Sequence, residues 1–172
     1  RDRCKLKETP ISIGVQLAIN SLSVSSLQNV ITYIHDLSIE FDKEIVLHPI
    51  VVTYPEVHKP FILPSSFSKH IAIAIFKTDH ILKSLGDDRE KMKESLHYLK
   101  SVLIPMYQSL RDSQSQSSKW DSGSIEQARI NFYRYFSAYD KIRGTHFLEV
   151  FPEYEKFYNT CKMLHENSLI EN

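Results

Sequence analysis

Eight histidines, two cysteines and three methionines are the side chains here with the chemistry to hold a metal or move a proton. The histidines are His35, His48, His58, His70, His80, His97, His146 and His165. A metal site built on one helix needs two ligands a single turn apart, and no two of these histidines stand three or four residues apart. His70 and His80 return to the same helical face only about three turns on, too far to share an ion. Cys161, Met163 and His165 are soft ligands at a spacing of two. That spacing suits a strand; on a helix successive members diverge by about 200°. Nucleophilic catalysis asks for a serine or cysteine on a strained turn with a base in reach, and no Gly-x-Ser-x-Gly is present. Four scattered glycines build neither a dinucleotide fingerprint nor a phosphate loop. The paired carboxylates Asp87–Asp88 and Glu153/Glu155 fall where helices begin, so favourable placement on the helix dipole accounts for them. Aromatic and basic residues alternate at Phe132, Tyr133, Arg134, Tyr135 and Phe136, the ingredients of a base-stacking platform. A helical stripe already claims Phe132, Tyr135 and Phe136 for the core, which leaves Tyr133 outside. The reading is a non-catalytic protein with no cofactor and no metal.

The elements that would position such residues are mostly helical. Ten of the nineteen aromatic residues lie between Ser124 and Leu164, in what reads as two helices. The first opens on a capping box, Ser124 with Gln127, and carries the stripe Ile125, Ala128, Phe132, Tyr135, Phe136, Tyr139 and Ile142. Gly144 is its left-handed stop. The second starts near Pro152 and aligns Tyr154, Phe157, Tyr158, Cys161 and Leu164. Upstream, Leu27, Val30, Ile31, Ile34, Leu37 and Phe41 mark a helix that ends by Phe41 or continues to Leu47. Phe67 to Leu85 is apolar on nearly every side and is expected to be the central helix, sheathed by the others. Met92, Leu96, Leu99, Leu103, Met106 and Leu110 mark another, interrupted and kinked at Pro105. Ile11 to Asn20 alternates with period two yet follows a Thr-Pro cap, so strand and helix both remain open. Four prolines between Pro49 and Pro64 point to an extended crossing, with a brief edge strand as a further option. Residues 1–9 read as a frayed terminus and 111–123 as a flexible polar loop.

These features predict one mainly α domain over residues 1–172: a bundle of about five helices with a proline-marked crossing. An α+β fold with a small N-terminal sheet is the alternative. Lys plus Arg and Asp plus Glu both number 21, so the basic excess of a nucleic-acid-binding domain is missing. No apolar run reaches the length of a membrane span. The chain begins with Arg1 rather than methionine, and the expectation is a fragment of a longer protein. Functionally, the sequence reads as a helical interaction or scaffolding module of an intracellular protein, cytoplasmic or nuclear, whose partner is another protein. Its contacts are expected at Tyr54, Phe61, Trp120 and Tyr133, since aromatics carry contact area at low entropy cost. A secreted, cytokine-like bundle with a Cys4–Cys161 bridge is the alternative, and an enzyme or ligand-binding bundle the third. Oligomeric state is left open.

Overall fold

The computed structural model describes residues 13–112 and 122–170, the side chains of 122–124 excepted. The expected frayed terminus, Cys4, Trp120 and most of the polar loop lie outside the described residues. Among the described residues the fold is mainly α, with six helices and a two-stranded parallel sheet. In chain order the elements are β1 (Ile13–Ile19), α1 (Leu27–Phe41), β2 (Ile45–Val51), α2 (Ser68–Ser84), α3 (Glu90–Asp112), α4 (Ser122–Arg143), the short α5 (Phe147–Val150) and α6 (Glu155–Ile170).

Period two prevails in Ile13–Ile19 because it finds a partner: β1 pairs with β2 in register from Ile13↔Ile45 to Ile19↔Val51, and α1 forms the crossover. Leu17, Ile19, Ile45 and Leu47 are buried, while Gly14, Gln16, Ala18, His48 and Ile50 alternate with them on the open face. The extended crossing expected from Pro49 therefore begins later, because Pro49 belongs to β2. Its position is permitted by the ladder. The Val52 N–H donates to the Ile19 carbonyl at 2.9 Å, so even-numbered residues of β2 turn their amides to β1. The amide missing at Pro49 falls on the free edge, where a strand tolerates proline. The remaining crossing, with a cis Tyr54–Pro55 bond, is three short 3-10 turns at Glu56–His58, Pro60–Ile62 and Ser65–Phe67.

Helix α1 stops at Phe41 and does not continue to Leu47. Asp42 adopts a left-handed conformation, φ 52°, and its amide and that of Lys43 return to the Ile39 and Ser38 carbonyls. The strand that follows takes Ile45 and Leu47 into the sheet instead. The start of α3 is clamped to this turn. Arg89 pairs with Asp42, and the Glu44 carboxylate accepts the Met92 amide at 3.3 Å, satisfying a free donor at the helix start.

The expectation of α2 as a sheathed central rod is overturned. Only Ile71, Ala74, Thr78 and Ile81 are buried, at steps of three and four; Ile73 is 39% and Phe76 68% exposed. Apolar composition all round had suggested burial all round, but only one side of α2 meets α1 and α3. The central element is α3, which packs on β2 and α2 through Met92, Ser95, Leu96, Leu99, Leu103, Met106 and Leu110. It runs on through Pro105 to Asp112. Pro105 and Ser101, whose carbonyl loses its partner, both face solvent, so water can satisfy the orphan acceptor. The helix thereby occupies the start of the expected 111–123 loop, and α4 occupies its end.

Helix α4 begins at Ser122, before the expected cap at Ser124, and ends at Gly144 with φ +64°. Its stripe holds at Ala128, Phe132 and Phe136, and Ile130 is buried on another side of the helix, but Tyr135, Tyr139 and Ile142 are 46%, 40% and 83% exposed. Beyond Phe136 the chain turns back, and Asp140 caps that return by accepting the Phe147 amide at 2.8 Å and the Thr145 hydroxyl at 2.9 Å. Phe132, Phe136, Phe147 and Phe157 pack from α4, α5 and α6 into one aromatic cluster of tilted and edge-to-face rings, with the Phe132 and Phe136 rings 4.6 Å apart. Tyr154 extends it to Phe67 at 4.7 Å.

The Tyr154 hydroxyl is buried and donates to the Ser21 carbonyl at 2.6 Å. Ser21 in turn donates its hydroxyl to the Val57 carbonyl and its amide to the His58 carbonyl, at 2.9 and 2.8 Å. Removing the tyrosine hydroxyl strands a buried acceptor, so Tyr154→Phe should cost about 1–3 kcal/mol in urea unfolding. Burial pushes the Cys161 thiol up to about 12 and the Tyr158 phenol up to about 12. Both values exceed those of the unfolded chain, so their contribution is complete below about pH 9 and is lost as pH rises toward about 12. Unfolding midpoints measured across that window should fall with rising pH, and Cys161→Ala should flatten the decline.

Candidate protein-binding groove

Several clusters bring reactive side chains together, and most are already satisfied. The Ser25 hydroxyl donates to the Glu153 carboxylate at 2.7 Å, and Glu153 also acts on His70. A serine and an acid thus meet from two distant segments, with a histidine within the field of the acid. Their order is wrong for a nucleophile, because the serine proton goes to the carboxylate and not to an imidazole. Burial, then Lys69, hold His70 below the usual imidazole range, and Glu153 offsets this in part. Cys161 is wholly buried, and desolvation keeps its sulfur a thiol, the unreactive form. Arg129, half-buried between α4 and α6, donates to the Ile62 carbonyl at 2.7 Å and lies 6.0 Å from the Phe157 ring. Among the described residues no three His, Cys, Asp or Glu side chains converge as metal ligands would.

The surface features expected from sequence separate once placed. Tyr54 is 82% exposed beside the cis bond, standing alone on its turn. Phe61 is partly buried and packs on the core. Tyr133 is not the outward residue of its helix: it is partly buried, with ring centroids 5.2 Å from Tyr158 and 5.5 Å from His165. It joins α4 to α6 and is withdrawn from solvent. The structure does not bring Tyr54, Phe61 and Tyr133 together into one surface.

A different surface is continuous. Helices α1 and α2 pack side by side, and a recess of about 160 Å³ opens between them, lined by Thr32, His35, Lys77, His80, Ile81 and Ser84. Helical spacing extends both walls. Gln28, Thr32, His35 and Ile39 follow at steps of four, three and four along α1; Ile73, Lys77, His80 and Ser84 do so along α2. Ile39 is 63% exposed, and Phe76 stands on the outer lip of α2. The Thr32 and Ser84 hydroxyls are spent on the Gln28 and Ile81 carbonyls, at 2.9 and 2.8 Å, which leaves Lys77 and the two imidazoles as the polar donors of the recess. The only acid of α2, Asp79, is turned away to Lys100 on α3 at 2.5 Å.

Sequence reasoning missed Ile73 and Phe76 because it placed them in the core. The signal was present: both fall off the Ile71, Ala74, Thr78 and Ile81 stripe. The division between the two faces of α2 has a direct consequence for stability. Phe76→Ser should leave it within about 0.5 kcal/mol of the parent, whereas Ala74→Leu, overfilling a wholly buried site, should cost about 1–3 kcal/mol in the same urea titration. No family model, curated protein or solved structure matches this chain.

Proposed function

We propose that this chain is a non-catalytic interaction module that receives another protein across the α1–α2 groove. The observation that carries the reading is Phe76, a large aromatic side chain 68% exposed on a helix whose opposite side is core. Ile73, 39% exposed, is beside it on α2, and the recess lined by Thr32, His35, Lys77, His80, Ile81 and Ser84 opens next to this pair. Single exposed apolar residues are ordinary on protein surfaces; grouped around a recess, they are the pattern of a docking site. The satisfied state of the serine, cysteine and acid clusters favours binding over catalysis. Among the described residues no helix is long and apolar enough to cross a membrane.

The test compares partners captured from source-cell lysate by the parent chain and by Phe76→Ser, quantified by mass spectrometry, with circular dichroism confirming an unchanged fold. Specific partners should be depleted at least about tenfold, in keeping with loss of one aromatic anchor. An identical partner set on both baits would defeat the reading.

A further inference from the structure

We infer that the occupant of the groove is an amphipathic helix of another protein, with an acidic flank lying along α2. This rests on the groove being a docking site. The outward side of α2 carries Lys69, Lys77, His80 and Lys83, with Ile73 and Phe76 among them. Its one carboxylate, Asp79, is neutralised by Lys100 and points to the far side. The α2 wall is thus cationic with an apolar centre. Across the recess, α1 has no lysine or arginine; its acids are Asp36, 3.7 Å from the His35 Nδ1, and Glu40. An incoming helix therefore meets attraction for carboxylates on one side only. The two helices lie side by side with the recess between them, a shape that a third helix matches when its i, i+3, i+4 and i+7 apolar positions face that recess. A flat anionic membrane would meet the lip of α2 but leave the concave recess unfilled, so shape favours the helix.

The probes are two synthetic helical peptides with the same leucine stripe and one neutral flank. The other flank is glutamate in the first peptide and lysine in the second. The glutamate peptide should bind the folded chain at least about tenfold more tightly than the lysine peptide, with affinity falling as salt rises. Lys77→Glu with Lys83→Glu should reverse the preference, while Phe76→Ser should weaken both peptides. Circular dichroism on each variant separates lost binding from lost folding. Equal binding of the two peptides, both sensitive to Phe76→Ser, would overturn the acidic flank and leave the groove standing. Binding of neither peptide would overturn the helical occupant. Tight binding to vesicles containing anionic lipid, or concentration-dependent dimers abolished by Phe76→Ser, would also overturn it, assigning the surface to a membrane or to a second copy of the chain.

Discussion

The fold depends on one buried hydrogen bond, from the Tyr154 hydroxyl to the Ser21 carbonyl. Ser21 sits where the chain leaves β1, and its amide and hydroxyl are committed to the 57–58 turn. Tyr154 sits at the entrance to α6 and against Phe67 at the entrance to α2. One short peptide segment therefore serves the strand–helix unit, the proline-rich crossing and the C-terminal helices together. A buried backbone acceptor cannot be left without a donor at low cost, so the C-terminal helices have only one seating that satisfies the N-terminal unit. The aromatic cluster supplies most of the burial around this point, and the hydroxyl supplies its register.

From that anchor the rest divides into two packing groups. The sheet, α1, α2 and α3 share an aliphatic interior of leucine, isoleucine and methionine, whereas α4, α5 and α6 share an aromatic one. Arg129 bridges them by reaching the Ile62 carbonyl, a cation spent on closing the crossing against α4. Desolvation lowers its affinity for the proton, but a guanidinium stays charged under any ordinary condition. The groove lies wholly on the aliphatic group, away from this junction. Changes on its walls are therefore separable from the contacts that hold the two groups together.

Helices with a single strong stripe were legible in the sequence. The α3 stripe of Met92, Leu96, Leu99, Leu103, Met106 and Leu110 is buried as its spacing implies, as are Tyr154 at the entrance to α6 and Phe157 and Cys161 within it. The Gly144 stop was legible too, because a left-handed residue at a helix end leaves a chemical mark. What was hidden depended on distant partners. Ile13–Ile19 is a strand because Ile45–Val51 lies beside it, and neither segment decides the matter alone. Pro49 looked like the start of the extended crossing, yet its missing amide would matter only on a paired edge, and this edge of β2 pairs with no described strand. The exposure of Ile73 and Phe76 was hidden for a related reason. Composition marks how much of a helix is apolar, but only the neighbours decide which part is covered, and on α2 they leave Phe76 bare. Conversely, Tyr133 looked outward until α6 arrived to cover it.

Pro49 also makes the small sheet asymmetric. Its ring stands on the outer margin of β2, where a third strand would need an amide to pair with. Any growth of the sheet, whether by evolution, by engineering or by unwanted stacking of copies, meets a block on that margin. On the margin of β1, Ser23 already occupies the Ala18 carbonyl at 3.1 Å, leaving the stretch around Gly14 and Gln16 as the narrower point of access. A single imino acid thus gives this two-stranded ribbon a closed side and a less guarded one.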